Sequence, residues 1–179
     1  MIDSAIRRGE LLGLRWSRVA LADPGGPRIR IEETFVRNRF DTPKSAAGRR
    51  TIEISDVLAD ALFEWRAVAN YKADNALVTA NQRTGHAFDV YVLGVLYREA
   101  LVEAEIEDPD SLDLFHALRH SSLTNGAAAG MSPVALQTRA GHSSFATTRG
   151  YLALAGVGFE EETAKHSERL WGTGTPAAG

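Results

Sequence analysis

The stretch that most constrains the fold of this chain runs from His116 to Tyr151 and reads HALRHSSLTNGAAAGMSPVALQTRAGHSSFATTRGY. It carries strong local signals for where helices begin and end. Gly130 is a helix stop, and Gly141 is a second one. Between them, Ser132 supplies an N-cap and Pro133 occupies the first helical position. The pattern predicts helices joined by tight turns in this part of the chain.

Polar side chains of the same stretch are expected to meet at one site. His116, Arg119 and His120 are spaced by three and four residues, which places them on one helix face. His142 follows the predicted turn, and Tyr151 follows nine residues later. Arginine binds phosphate in bidentate fashion and tyrosine can supply an oxygen nucleophile. The spacing therefore favours phosphate chemistry.

The first half of the chain predicts a small antiparallel sheet of three strands. After a turn-forming PGGP run, Ile29 and Ile31 alternate with charged residues, as in a half-buried strand. Two further strands are predicted over 34–40 and 49–54. The loop between them, DTPKSAAG, carries Lys44.

Hydrophobic spacing predicts further helices. The first is capped by Asp3 and Ser4 and ends near Trp16, and the second follows Ser55 as its N-cap. A third covers about 89–105. The residues expected to face inward on this third helix are Val92, Leu93, Leu96 and Ala100.

The remaining segments complete the predicted architecture. The helix bearing the H-x-x-R residues is predicted over 112–128, and an acidic amphipathic helix over about 156–171, before the flexible end GTGTPAAG. We expect residues 1–155 to form one compact, mainly helical α+β domain. Residues 156–179 form the C-terminal helix and tail.

Charge is distributed unevenly along the sequence, although the net charge is only −3. Residues 1–50 carry 11 Lys/Arg against 6 Asp/Glu, residues 51–115 carry 4 against 13, and residues 116–179 carry 5 against 4. This polarity is typical of a basic DNA-binding face backed by an acidic solvent face. Ordinary fluctuation of surface charge explains it equally well.

The composition excludes several classes of protein. With no cysteine, the chain has no disulfides, thiolate catalysis or cysteine-based zinc sites. Its apolar runs are shorter than the roughly 18 residues of a membrane-spanning helix. No signal-peptide pattern opens the sequence. We expect a soluble, cytoplasmic protein.

Motifs near the N-terminus resemble those of the tyrosine recombinases, the phage-integrase family. The segment IRRGELLGLRWSRVAL is similar to the family pattern of an arginine, a following glutamate, a leucine-rich helix and a tryptophan. Arg7 matches the first family arginine, and Glu10 is its structural companion. Lys44 matches the lysine that the family places in a β-hairpin turn.

The resemblance continues in the second half, in family order and spacing. His116 and Arg119 match the H-x-x-R motif, and His142 matches the histidine of the G-H motif. Tyr151 matches the nucleophile that follows a threonine pair, here Thr147-Thr148. Together the motifs extend from Ile6 to about Leu154.

The resemblance implies a site-specific DNA recombinase that uses neither metal, cofactor nor ATP. Tyr151 attacks the phosphorus to give a 3′-phosphotyrosyl link and a free 5′-hydroxyl. Lys44 protonates the departing oxygen, His116 assists proton transfer, and His142 hydrogen-bonds the phosphate beside Arg7 and Arg119. The implied partners are double-stranded DNA and further copies of the chain, as a tetramer at synapsis.

Three alternatives stay open at this stage. Only six residues precede Arg7, so we expect the family's N-terminal DNA-clamping domain and first helix to be missing. The first alternative is therefore a non-catalytic remnant that binds DNA or a recombinase partner. A type IB topoisomerase shares the chemistry. A zinc site of His116, His120 and His142 is a third alternative, although Arg119 on the same face repels a cation.

Overall fold

The computed structural model describes residues 1–43, 45–106, 114–156 and 160–172. The helices are α1 Arg8–Gly13, α2 Asp56–Val68, α3 Val90–Glu103, α4 Leu114–Ala128, α5 Pro133–Ala140, α6 Phe145–Leu154 and α7 Glu160–Trp171. The strands are β1 Val19–Ala20, β2 Arg28–Ile31, β3 Thr34–Val36, β4 Arg39–Asp41 and β5 Arg50–Glu53. The predicted class, a mainly helical α+β fold with a small antiparallel sheet, is confirmed. Lys44 and the predicted flexible end after Gly172 lie outside the described residues.

The three-stranded sheet differs in membership from the prediction. Its order is β1-β2-β5, and Ile29 of β2 pairs with Ile52 of β5. The strand predicted over 34–40 is instead a separate hairpin of β3 and β4. Arg37 and Asn38 have φ of 52° and 57° and form its two-residue turn. Two positive φ angles give the tight hairpin connection that a continuous strand cannot contain.

Helix α1 is shorter than predicted. Asp3 and Ser4 do not cap it, because Ala5 has a φ of 52°, which separates them from the helix, and Arg7 occupies the N-cap position. The helix packs closely on β3. A Cβ atom on Gly9 would lie 2.6 Å from Thr34 Oγ1, so this contact requires glycine.

Two hydrophobic clusters support the elements. The first joins α1, the sheet and α2, and includes Ile6, Leu14, Trp16 and Ile52. Ser55 caps α2 as predicted, since its hydroxyl accepts a hydrogen bond from the Leu58 amide. The second cluster joins α4, α5 and α6 around buried residues: Ala5, Leu123, Ala127, Leu136, Ala140 and Leu152.

The inward face predicted for α3 is wrong for Val92, Leu96 and Ala100, which are exposed, and correct for Leu93. Val92 is 45% exposed and Leu96 is 43% exposed. Leu93 and Tyr97, which are four residues apart, are half-buried, and Tyr97, which was not predicted to face inward, contacts the Phe115 ring of α4. Helical spacing alone could not decide which apolar stripe faces α4. Within the described part of the chain, no helix is both long and apolar enough to cross a membrane.

Candidate functional site

An open cavity of about 810 Å³ lies between α1, the β3–β4 hairpin, α4 and α6. Five of the six predicted site residues line it: Arg7, His116, Arg119, His142 and Tyr151. The sixth, Lys44, is outside the described residues. Its sequence neighbours Pro43 and Ser45 line an adjoining cavity of about 500 Å³ together with Arg7 and His142. The fold therefore brings distant segments of the sequence to one place.

Arg7 is fixed at the start of α1 by hydrogen bonds on two sides. Its Nη1 donates to Glu10 Oε1 at 2.9 Å, and its Nη2 donates to the Gly141 carbonyl at 2.8 Å. The Arg7 amide also donates to Glu10 Oε2 at 2.8 Å, so the Glu10 side chain satisfies the backbone amide at the N-cap of α1. The side chain still exposes 41% of its surface, so the guanidinium remains accessible from the cavity.

Arg119 is the buried cation of the site. It projects from α4, and its guanidinium donates to the Ala5 carbonyl and, at 2.7 Å, to the Ala140 carbonyl. Burial, together with the nearby charge of Arg7, lowers the pKa of Arg119 to about 10. Arg119 therefore stays charged at neutral pH and adds a second positive charge beside Arg7.

His142 follows a left-handed turn at Gly141, whose φ is +64°. Its Nδ1 lies 3.0 Å from Thr148 Oγ1, and Nε2 of the Gln137 side chain donates to the His142 carbonyl at 3.2 Å. Burial, followed by the charges of Arg119 and other nearby arginines, lowers the pKa of His142 to about 4. At neutral pH the imidazole is therefore uncharged.

Tyr151 lies on α6 between two imidazole rings. The ring of His142 stacks nearly parallel to it, with centroids 5.9 Å apart, and the ring of His120 lies 5.2 Å away at a tilt. The sequence spacing places His120 on the same helix face as His116 and Arg119, but His120 is not among the predicted site residues. A phenol hydroxyl, two guanidiniums and a neutral imidazole can together bind an oxyanion and bring a nucleophile to it.

Arg50 supports the site through Glu10 and is absent from the residues that the sequence predicted. It forms a buried ion pair in which Nη1 and Nη2 donate to the two oxygens of Glu10, each at 2.9 Å. Burial alone raises the pKa of Glu10, but the hydrogen bonds and charges of Arg50 and Arg7 outweigh burial and hold this pKa below its ordinary value. Arg50 lies two and four residues before the inward-facing Ile52 and Ile54, on the same face of the strand, and this spacing in the sequence could have identified it as buried.

The zinc alternative has no support in the described part of the chain. No three His, Cys, Asp or Glu side chains there are grouped closely enough to hold a metal ion. His116, His120 and His142 therefore do not form such a group. His142 instead uses its two ring nitrogens toward Arg119 and Thr148.

Comparisons with known proteins agree with the fold. A model described as "Phage integrase family" matches residues 1–156. The Tn1549 transposon integrase in complex with transposon right end DNA has a TM-score of 0.69 and 25% identity, over 94% of this chain and 56% of that chain. XerA recombinase has a TM-score of 0.64 and 21% identity, over 92% and 54%. The catalytic domain of bacteriophage HP1 integrase has a TM-score of 0.59 and 22% identity, over 99% and 81%.

The chain thus spans slightly more than half the length of the solved Tn1549 integrase and XerA chains. The comparison with curated proteins gave no match.

Proposed function

The chain belongs to the phage integrase family, and we propose that it is a site-specific DNA recombinase that cleaves and rejoins DNA through Tyr151. The observation that carries the proposal is the single cavity lined by Arg7, Arg119, His142 and Tyr151. Family membership supports recombination as the function. The geometry supports these residues as the ones that perform it.

The two arginines suit the binding of a phosphodiester. The scissile phosphate gains negative charge on its oxygens as the nucleophile approaches, and guanidiniums are permanently charged, planar donors. Arg7 presents an accessible guanidinium, while Arg119 is held in place by backbone carbonyls. Preorganised donors of this kind are typically worth about 10²–10³ in rate. With two such cations, the charge is neutralised without a metal ion.

The proposed cleavage step requires no ATP. The Tyr151 hydroxyl oxygen attacks the phosphorus, and the bond to the 5′-oxygen breaks. The proton of Tyr151 passes to His116, which lines the same cavity from α4. Lys44 gives a proton to the leaving oxygen. The covalent 3′-phosphotyrosyl link conserves the bond energy. A 5′-hydroxyl from a second duplex then reverses the step and releases Tyr151.

Double-stranded DNA is the proposed partner, bound across the mouth of the cavity. The basic first 50 residues contribute Arg7, Arg8 and Arg37 to the cavity lining. Arg37 stands on the exposed turn of the β3–β4 hairpin, where a cation is available to the DNA backbone. The solved Tn1549 integrase structures, which contain DNA, are consistent with this. Strand exchange between two sites requires four active sites, so we propose a tetramer on DNA.

Covalent attachment to DNA is the experiment that tests the proposal. The substrate is a pool of duplexes of randomised sequence, nicked so that the released fragment diffuses away and religation fails. Protein from this chain should become covalently linked to DNA, and Tyr151→Phe should abolish the link. Tyr91→Phe is the matched control, because Tyr91 is 78% exposed on α3 and does not line the cavity. If DNA is bound but no adduct forms, the chain is a binding protein rather than a recombinase.

A further inference from the structure

Arg50, at the start of β5, uses all three nitrogens of its guanidinium in hydrogen bonds. The side chain is only 3% exposed. Its Nε donates to the Arg139 carbonyl at 2.8 Å, and its Nη1 donates to the Gly48 carbonyl at 3.0 Å, in addition to the two bonds to Glu10. Because the side chain is buried and these bonds engage all three nitrogens, the guanidinium is not presented to DNA.

Each partner of Arg50 belongs to a segment that carries a predicted catalytic residue. Glu10 binds Arg7 through both its backbone amide and its guanidinium. Gly48 follows Lys44 by four residues and ends the loop that contains Lys44. Arg50 therefore connects the N-terminus of α1 to the end of this loop.

The third partner extends the connection to the histidine turn. Arg139 is in the last turn of α5, directly before the Ala140-Gly141 stop and His142. Gly141 packs on Arg50 so closely that an added Cβ atom would lie 2.8 Å from Arg50 Nη1. The Gly141 carbonyl in turn accepts a hydrogen bond from Arg7.

We infer that Arg50 is a positioning residue, one that sets the relative placement of Arg7, the Ala46–Gly48 turn and the His142 turn without touching the substrate. The inference rests on the proposed function of the cavity. Only arginine has a planar fork that can serve a carboxylate and two carbonyls at once, because lysine has a single nitrogen at its end. Arg50→Lys keeps the charge next to Glu10 and loses the simultaneous contacts.

The first test compares single-turnover cleavage of the nicked duplexes at saturating protein concentration. Arg50→Lys should reduce the rate constant about 10²-fold, the effect of a misplacement of about 1 Å, and leave the half-saturating protein concentration within about twofold. Loss of folded protein alone would instead raise the half-saturating concentration and spare the rate constant. A rate constant equal to that of the unmodified chain overturns the inference.

Arg66→Lys is the matched control. Arg66 also donates to a backbone carbonyl, that of Lys72, and to a carboxylate, that of Asp74, but it lies over the Trp16 ring outside the cavity. The same chemical change there should leave the cleavage rate unaltered. If Arg50→Lys does not fold, it is replaced by the double variant Glu10→Gln, Arg50→Met, which removes both buried charges. The double variant should show the same loss in the cleavage rate constant.

The second test does not depend on cleavage. In ¹⁵N-labelled protein without DNA, the Nε–Hε relaxation of Arg7 reports the order of its guanidinium. We expect a high order parameter in the unmodified chain and in Arg66→Lys, and a clearly lower one in Arg50→Lys. Equal order in all three overturns the positioning role. Absence of cleavage by the unmodified chain counts against the proposed function, and the Arg7 measurement then decides the role of Arg50 alone.

Discussion

Nη2 of Arg119 lies 3.1 Å from Nε2 of His142. A guanidinium can only donate, so Nε2 must accept, and the proton of the neutral imidazole is on Nδ1, where it is donated to Thr148 Oγ1. For His142 to donate to a phosphate through Nε2, the ring must gain a proton or exchange its tautomer. A bound anion favours the charged form, so substrate itself is expected to promote this change.

This arrangement makes the stability of the folded chain depend on pH. His142 has a pKa of about 4 in the folded state against 6.5 ordinarily. Between these values the unfolded state binds more protons, so the free energy of unfolding falls as pH decreases from 6.5 towards 4. His142→Gln should flatten this part of the profile in urea unfolding. His166→Gln, at an exposed position on α7, should leave it unchanged, and equal slopes for both variants would refute the assignment.

Ala5→Gly should be nearly neutral for stability, unlike an ordinary Ala→Gly change. Ala5 has a φ of 52°, which costs a residue with a Cβ atom about 1–2 kcal/mol. Glycine avoids most of this strain, but it loses about 0.5–1 kcal/mol in backbone entropy on folding and about 0.8 kcal/mol from the buried methyl group of Ala5 in the second cluster. We expect the free energy of unfolding to change by less than about 0.5 kcal/mol. Ala61→Gly, at an exposed site within α2, should instead cost about 1 kcal/mol. Equal effects at the two sites would show that Ala5 is not strained.

Gly9→Ala should destabilise the contact of the β3–β4 hairpin with α1. The added methyl group would meet Thr34 Oγ1 at 2.6 Å and Val36 Cγ2 at 3.0 Å. Overpacking of this kind costs about 1–3 kcal/mol, measurable by urea unfolding. Gly94→Ala in α3 is the control, since a Cβ atom there meets nothing within 4 Å, and better helix propensity should add about 1 kcal/mol. A neutral Gly9→Ala would contradict the close packing.

Chelation of divalent metal should not change single-turnover cleavage. Arg7 and Arg119 supply the positive charge that a metal ion would otherwise bring to the phosphate. Cleavage of nicked duplexes in EDTA is therefore expected to match cleavage in magnesium. Activity that disappears in EDTA and returns with magnesium or zinc would rule out the proposed mechanism.

Local sequence signals predicted some parts of the structure and failed for others. Ser132, Pro133 and Gly141 act on their immediate neighbours, so their cap and stop roles were visible in the sequence. The turn at Arg37 and Asn38 was missed because neither residue is glycine, which most often marks positive φ. Arg50 was missed because its partner Glu10 is 40 residues away, and such a pair is decided by tertiary packing.

The most direct test of the central claim is to identify the amino acid that becomes joined to DNA. The covalent adduct is digested with nuclease and protease, and the peptide that carries the residual nucleotide is sequenced by tandem mass spectrometry. We predict a nucleotide attached through its 3′-phosphate to the hydroxyl oxygen of Tyr151. Attachment to any other residue, or through a 5′-phosphate, would contradict it.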